Sequence, residues 1–596
     1  MLLNLTPEQI QAKIDYIRKY ANAGNSADGS LVDSNANVDT KNIGILEAEL
    51  YKPETIQINR EIVRQKLEKM FPGMGEQYIK DIESHVIYIH DETSLRPYCA
   101  SITLFPFLLN GTKPLGGTSK APKNLHSFCG SFVNLVYQVA SGFAGAVATV
   151  EFLLYFDHFA RLTYGKDYLK TNKKEVEQAL QGVVYALNQP ASARGNQSVF
   201  WNISVLDKYY FDHLFGNFHF PDGSEVQYDG SFHDLQYLFM EWFRKEREEE
   251  LLTYPVLTAS MLINEDGKPV DTEFAEQCAE EMSKGLSFFV YESQSVDSLA
   301  SCCRLRNELS DNTFSYTLGA GGVSTGSIQV ITVNMNRLTQ LDMDLSEVIT
   351  RVHKYLLAHR AVIEDYKECG LLPAYTAGFI NMDKQFLTIG INGALEASEY
   401  LYGKADAEFY SSILKTIYSL NKEDGKKFGV KFNTEFVPAE NLGVKNAKWD
   451  KEDGLMVPRD CYNSYFFPVE DTSLNLVDKL ELHGSKTTAF LDGGAACHLN
   501  LAQLLTKKQA YELMCLAGKK GVNYWTFNVL MTCCNDCGYI DVNTRDSCVK
   551  CGSHDVGYAT RVIGYLKRIS SFSSERQKEA AVRYYIKKGG TTDANT

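Results

Sequence analysis

The segment CNDCGYIDVNTRDSCVKCGSHDVGYATRVIGYLKR, residues 534–568, contains two CxxC pairs followed directly by an apolar stretch with a glycine at its centre. Four thiolates on two tight turns, each pair followed by a glycine, are typical of a closed tetrahedral zinc site. Such a site leaves no coordination position for a substrate, so we expect a structural metal that holds the apolar stretch in place. The predicted ligands are Cys534, Cys537, Cys548 and Cys551.

The apolar stretch after the cysteines is RVIGYL, with Gly564 at its centre. A glycine in such a setting usually marks a turn or a close backbone contact. One other chemistry requires glycine itself, because loss of an α-hydrogen leaves a planar radical that both flanking amides stabilise. Such a radical has to be buried close to a thiol. The candidate thiols lie in SCCRLRN, residues 301–307, and in RPYCAS, residues 96–101.

Composition excludes several classes of protein. The chain has 596 residues, 44% apolar and 22% charged, which is ordinary for a globular protein. Its formal net charge of -14 disfavours binding to a nucleic-acid backbone. The sequence has no apolar signal segment and no run long enough to cross a membrane, so we expect a cytoplasmic protein. The fourteen cysteines are then thiols, metal ligands or catalysts rather than disulfides.

Helical and strand-like patterns alternate along the chain, which favours one large α/β barrel-like domain followed by a metal-bearing tail. The stretches 328–335 and 386–393 are apolar on both faces, as in strands covered by helices. Residues 101–109 also have a strand-like pattern. Residues 129–164 are predicted to form one or two long apolar helices with small residues in the middle.

Taken together, these motifs resemble the anaerobic, class III ribonucleoside-triphosphate reductases, which are glycyl-radical enzymes. The resemblance extends over nearly the whole chain. Ile563 stands where the family usually has cysteine before the glycine, and Cys302 replaces a glycine beside the central cysteine. The stretches that carry the resemblance are NANVD (35–39), IYIHDE (87–92), ASCCRL (300–305), GSIQVITVNMNRL (326–338), FVPAENL (436–442), NSYFFPVE (463–470), LDGGAACHLNL (491–501), the double CxxC and RVIGYL.

The resemblance implies a ten-stranded α/β barrel with a zinc-ribbon-like C-terminal segment. Gly564 would store the radical, Cys303 would become the transient thiyl radical that abstracts the ribose 3′-hydrogen, and Cys99 would deliver a hydrogen atom to C2′. The expected domains are an N-terminal helical segment without an ATP-cone (1–85), the catalytic barrel (86–530) and the zinc and glycyl-radical segment (531–596). The resemblance assigns no substrate contact, and Ser327 and Gly493–Gly494 are candidates for binding the phosphates.

The resemblance also implies cofactors and partners. We expect structural Zn²⁺ and a separate S-adenosylmethionine-dependent, iron–sulfur activase that generates the radical on Gly564. Ribonucleoside triphosphates would be the substrates, with ATP or deoxynucleotides as effectors and formate or a thioredoxin-like dithiol as reductant. A homodimer is expected, with the helix predicted around 141–164 at its interface.

Two alternatives remain open from the sequence. Another glycyl-radical enzyme, of the acyl or diol lyase type, would share RVxGY and a central cysteine, but those relatives generally lack the tail zinc site. A non-catalytic zinc-ribbon binding protein would present a basic face, yet residues 534–564 contain four aspartates against three basic residues. His90 and His498 have the pattern of satisfied structural histidines, and the roles of Cys302 and Cys533 are not determined by the sequence.

Overall fold

The computed structural model of the chain describes residues 5–38, 41–191, 195–226, 230–296, 298–300, 306–308, 324–436 and 440–587. The predicted cysteines Cys302 and Cys303 lie outside the described residues. The dominant element is one large sheet, and a separate four-stranded sheet lies near the C-terminus. The strands are β1 (Ile87–Ile89), β2 (Cys99–Ser101), β3 (Val147–Ala148), β4 (Trp201–Leu206), β5 (Val256–Leu262), β6 (Phe289–Ser293), β7 (Ser298–Ala300), β8 (Arg306–Glu308), β9 (Thr325–Asn334), β10 (Phe386–Asn392), β11 (Lys431–Phe436), β12 (Cys497–Asn500), β13 (Tyr524–Asn528), β14 (Met531–Cys534), β15 (Ile540–Asp541), β16 (Val556–Arg561) and β17 (Leu566–Arg568).

The large sheet is built from two parallel halves. Strands β2 to β6 pair in chain order and in parallel, and β9, β10 and β11 also pair in parallel, as do β12 and β13. The two halves meet in antiparallel pairs, β2 with β9 and β6 with β13, while β1 pairs with β9 outside the ten-strand path. All ten residues of β9 are buried. Burial on both faces is expected of a barrel strand that helices cover on the outside.

The two end strands of the large sheet, β11 and β12, are joined to each other through the segment before β12. The segment directly before β12 contacts β11, because the amide of Gly493 donates to Thr434 O at 2.8 Å and the amide of Phe436 donates to Gly494 O at 3.2 Å. These contacts join the two ends of the ten-strand path, so the sheet closes as a barrel. The predicted ten-stranded α/β barrel is therefore confirmed.

Helices connect the parallel strands, as parallel pairs require. The 24-residue helix α15, for example, packs on β9 and β10, the two strands it connects. None of the described helices combines the length and apolar character needed to cross a membrane. The helices are α1 (Pro7–Asn22), α2 (Ser26–Gly29), α3 (Ile43–Leu50), α4 (Lys52–Met70), α5 (Met74–Glu83), α6 (Phe105–Asn110), α7 (Leu125–Ser141), α8 (Phe152–Tyr164), α9 (Tyr168–Thr171), α10 (Lys173–Leu187), α11 (Lys208–Phe215), α12 (Ser231–Glu249), α13 (Thr272–Ser283), α14 (Met335–Gln340), α15 (Leu345–Glu368), α16 (Pro373–Thr376), α17 (Ala394–Tyr402), α18 (Ala407–Phe428), α19 (Leu442–Glu452), α20 (Leu476–Leu482), α21 (Ser485–Thr488), α22 (Lys507–Lys520) and α23 (Ser574–Val582).

Residues 129–164 contain two helices, α7 and α8, in agreement with the prediction, but two finer local predictions were wrong. The chain leaves the helical conformation between α7 and α8, and the small residues expected on a helix around 141–164 instead flank the barrel strand β3. Gly145 is needed there because a Cβ at this position would lie 2.7 Å from Cys99 Sγ. Within 101–109, the strand ends at Ser101 and α6 begins at Phe105, since Pro106 suits the first turn of a helix and has no amide for a sheet.

The closure of the barrel can be tested at Gly493. A Cβ on Gly493 would lie 2.4 Å from Thr434 O, so Gly493→Ala has to displace β11 or the segment before β12. We expect this change to lower the free energy of unfolding by about 1–3 kcal/mol. The matched control is Gly182→Ala within α10, where a Cβ meets nothing within 4 Å and should add up to about 1 kcal/mol of helix stability. Thermal unfolding followed by circular dichroism compares the two, and equal melting temperatures would contradict the closure.

Candidate active site

The four cysteines of the CxxC pairs form one cluster. Their sulfur atoms all lie within 4.8 Å of one another, and the pairs Cys534–Cys551 and Cys537–Cys548 are each 3.6 Å apart. A tetrahedral zinc site with bonds of about 2.3 Å requires sulfurs separated by about 3.8 Å, so the cluster has the size that Zn²⁺ needs. Both following glycines, Gly538 and Gly552, adopt a φ of 75°, which lets the chain turn back over the sulfurs.

Cys533, the neighbour of the first ligand position, points elsewhere. It is fully buried in the small core of the C-terminal sheet, against Met531, Ile540, Ala559 and Leu566. Burial raises the pKa of its thiol, which favours the neutral form. Cys533 therefore packs as a small apolar side chain, and the cluster is formed by Cys534.

The cluster and Gly564 belong to the same four-stranded sheet, whose order is β15-β14-β16-β17. At one end of β16, Val556 pairs with Cys534; at the other end, Arg561 pairs with Leu566 across the hairpin that contains Gly564. The two ends are separated by five residue steps, or roughly 17 Å of extended strand. The sheet thus connects the cysteine cluster to the glycine loop, residues 562–565, through one continuous strand.

Two buried arginines hold the glycine loop. Arg561 Nη1 donates to Gly564 O at 3.1 Å, and its other nitrogens donate to the Ser287 side chain and carbonyl at 2.9 and 3.0 Å. Arg583 donates to the carbonyls of Arg561 at 3.1 Å and Val562 at 2.6 Å, and it forms an ion pair with Glu579, which also pairs with Arg576. Charge-assisted hydrogen bonds from two arginines therefore fix the loop backbone.

Tyr565 connects the loop to a distant part of the chain. Its hydroxyl donates to Glu440 Oε2 at 3.0 Å, and the same carboxylate accepts the amide of Ala36 at 2.8 and 2.9 Å. Burial raises the pKa of Glu440 to about 7 in spite of these donors. Glu440 thus joins the glycine loop to the NANVD segment, and the sequence had indicated no role for it.

The loop faces a cavity of about 550 Å³ inside the barrel. Gly564 is buried, and it lines this cavity together with Cys99 of β2. The two residues are 465 positions apart in the sequence. The volume is in the range of pockets that hold small molecules. Other lining residues are Asn35, Asn37, His90, Ser327, Glu435, Glu440, Ile563 and Tyr565.

Cys99 is held as a buried thiol. Its side chain is 5% exposed, and Sγ accepts the amide of Ala146 at 3.3 Å. The backbone of Cys99 pairs with Ser327 in β9, at one of the two antiparallel seams of the barrel. Because Gly145 has no side chain, the loop before β3 can approach the sulfur closely. The predicted thiol therefore lies on a rigid strand that faces the same cavity as Gly564.

The predicted structural histidines are buried in hydrogen-bonded settings. His90 Nε2 lies 2.8 Å from Thr332 Oγ1, and burial lowers the pKa of His90 to about 4, so the ring is neutral. His498 Nδ1 lies 3.4 Å from Nδ2 of the Asn528 side chain. Among the phosphate candidates, Ser327 Oγ contacts Thr388 Oγ1 at 2.8 Å, while Gly493 and Gly494 use backbone groups to close the barrel.

The chain is similar to known anaerobic ribonucleotide reductases. A family model, "Anaerobic ribonucleoside-triphosphate reductase", matches residues 47–585. A solved structure described as "Anaerobic ribonucleotide reductase" superimposes with a TM-score of 0.84 at 26% identity, over 97% of this chain and 93% of that chain. The Thermotoga maritima anaerobic ribonucleotide reductase in complex with dATP and CTP gives 0.80 at 26% identity, over 97% and 100% of the two chains. No curated protein sequence matches.

The family model covers most of the chain, and the structural similarity extends over nearly all of it. The closed barrel, the glycine loop inside it and the cysteine cluster behind the loop agree with this match. The chain belongs to the anaerobic ribonucleoside-triphosphate reductase family, and it is a glycyl-radical enzyme that reduces ribonucleotides.

Proposed function

We propose that this chain reduces ribonucleoside triphosphates to 2′-deoxyribonucleoside triphosphates, with Gly564 as the radical store and Cys303 and Cys99 as the two working thiols. The observation that carries the proposal is the cavity of about 550 Å³ that Gly564 and Cys99 line together. A radical carbon and a hydrogen-donating thiol have to face one dry site to act on the same ribose.

The proposed sequence of hydrogen transfers conserves atoms and electrons. Gly564 Cα takes the hydrogen atom of the Cys303 thiol, and the resulting thiyl radical removes the 3′-hydrogen of the ribose. The 2′-hydroxyl then leaves as water, and the Cys99 thiol supplies a hydrogen atom to C2′. The loss of water leaves a ketone at C3′, and the hydrogen transfer leaves a thiyl radical on Cys99. Formate, oxidised to carbon dioxide, or a thioredoxin-like dithiol, oxidised to a disulfide, supplies both electrons: one, with a hydrogen nucleus, restores the Cys99 thiol, and the other, with a proton, reduces the ketone to a C3′ radical. Cys303 then returns its hydrogen to C3′ and takes a hydrogen atom back from Gly564, which restores the glycyl radical. These transfers require that water be kept away from the radicals.

The cysteine cluster is the proposed site of one structural Zn²⁺, bound by Cys534, Cys537, Cys548 and Cys551. The sulfur spacing of 3.6 Å and the purely thiolate donor set support zinc over hard cations, which prefer oxygen ligands. When bound, the ion would cross-link the two turns of the sheet that carries the glycine loop. It would take no part in the chemistry, because the four protein ligands fill its coordination shell.

Several partners follow from the proposal. A separate activating protein with an iron–sulfur cluster and S-adenosylmethionine would generate the radical on Gly564. The bound dATP and CTP of the Thermotoga maritima relative support binding of deoxynucleotide or ATP effectors and of ribonucleotide substrates by this chain. We propose a homodimer as the assembly in which effector and substrate sites communicate. Thiols that work in the reduced state support a cytoplasmic location.

The radical assignment is tested by low-temperature EPR after anaerobic activation. A radical on Gly564 retains one α-hydrogen, so wild type should give a doublet, and air should then cleave the chain to a fragment that ends near residue 563. Gly564→Ala should abolish both. The matched control is Gly557→Ala in the same hairpin, where a Cβ meets no atom closer than 3.8 Å and the doublet should remain. A doublet in Gly564→Ala would refute the assignment.

The two thiols are separated by their products. Cys303→Ser should lose all turnover, including release of base from the substrate, because no thiyl radical forms. Cys99→Ser should lose deoxynucleotide formation and still permit decomposition of the substrate. The radical at C3′ still forms in this variant, but no thiol gives a hydrogen atom to C2′. Chromatography of nucleotides and free bases measures both. Loss of both activities in both variants would remove this division of roles.

A further inference from the structure

Arg561 directs a buried positive charge at the carbonyl of the glycine that stores the proposed radical. Arg561 is 1% exposed, and its Nη1 donates to Gly564 O at 3.1 Å. The remaining contacts hold the guanidinium in one orientation, since Ser287 accepts two hydrogen bonds and the Phe289 ring lies 4.8 Å beneath it. Arg561 thus contacts the residue on which the proposed radical forms, Gly564, which is three positions later in the sequence.

This charge has no acidic neighbour. Among the described residues, no carboxylate forms an ion pair with Arg561, and a second buried cation, Arg247, donates to the same Ser287 carbonyl at 2.9 Å. Burial lowers the pKa of Arg561 to about 10. A buried charge without a counter-ion is unfavourable, and proteins usually pair it. Arg583, the other arginine that holds the loop, follows that rule with Glu579.

An electron-poor carbonyl at Gly564 has a specific effect on a radical. When Gly564 Cα loses a hydrogen atom, the unpaired electron spreads toward the amide nitrogen on one side and the carbonyl on the other. A cationic donor on the carbonyl oxygen makes that carbonyl a better acceptor of electron density. It therefore moves spin from Cα to the carbonyl and stabilises the radical relative to the intact glycine. A charged hydrogen bond in a buried site is strong enough to matter.

We propose that Arg561 is a positioning residue that stabilises the radical form of Gly564 through its hydrogen bond to Gly564 O. The inference rests on the proposed role of Gly564. In the step concerned, the Cα–H bond of Gly564 breaks homolytically and the hydrogen atom passes to a carbon radical supplied by the activating protein. Arg561 keeps its protons throughout and gains no charge.

A purely structural role of Arg561 makes a different prediction. Arg583 fixes the same loop with two hydrogen bonds from an equally buried guanidinium, but to the carbonyls of residues 561 and 562 rather than 564. If Arg561 only held the loop in place, substitution of either arginine would lower the radical yield and leave the electronic structure of any remaining radical unchanged. Only a contact with Gly564 O itself alters the distribution of spin.

The test is EPR of the anaerobically activated full-length chain as wild type, Arg561→Lys, Arg561→Met and Arg583→Met, with zinc content measured to verify that the ribbon is folded. We expect Arg561→Met to lower the radical yield about tenfold or more and to widen the α-hydrogen splitting of the doublet. Arg561→Lys should lie between this variant and wild type. Arg583→Met should keep the wild-type splitting at whatever yield remains.

The outcomes separate the inference from the proposed function. If Arg561→Met and Arg561→Lys give a doublet with the wild-type splitting, the inference is overturned. The assignment of the radical to Gly564 would still stand. The same widening in Arg583→Met would also overturn it, because loop displacement would then explain the effect. If zinc-loaded wild type gives no glycyl doublet at all, the proposed function itself fails and the inference fails with it.

Discussion

Strand β16 connects the cysteine cluster to the glycine loop, and the position of Gly564 depends on that connection. The strand pairs with Cys534 at its beginning and turns into the loop at its end, so the two sites share one set of backbone hydrogen bonds. A four-stranded sheet with a core of only five buried side chains is marginal by itself. A metal bound by the four clustered cysteines would cross-link its turns and supply rigidity that the small core lacks.

The barrel supplies the other half of the arrangement. Because its two parallel halves meet in antiparallel pairs, Cys99 lies at the β2–β9 seam, and the glycine loop enters the cavity that this thiol lines. Buried polar contacts then fix the loop: Arg561 and Arg583 hold its carbonyls, and Tyr565 reaches Glu440. Each contact replaces hydrogen bonds to water, so the loop is fixed in a site from which solvent is excluded.

Part of this arrangement could be predicted from the sequence. The CxxC spacing identified the four clustered cysteines, and the alternation of strand and helix patterns indicated a barrel. The stretch 141–151 was misread as helix because small apolar residues fit a helix face and a tight loop equally well. Its actual role depends on Cys99, 46 residues earlier than Gly145, which a local pattern cannot reveal. The contact of Ala36 with Glu440 spans 404 residues and is likewise set only by the closed barrel.

The central claim is that the sheet with the cysteine cluster positions the glycine loop once zinc is bound, and hydrogen–deuterium exchange with and without zinc tests it most directly. The amides of residues 556–568 should exchange slowly in protein that contains one zinc per chain. After chelation they should exchange faster, while the barrel strands β4 and β5 keep their protection, because their core is elsewhere. Unchanged exchange of 556–568 after zinc removal, or purified active protein without zinc, would contradict the account.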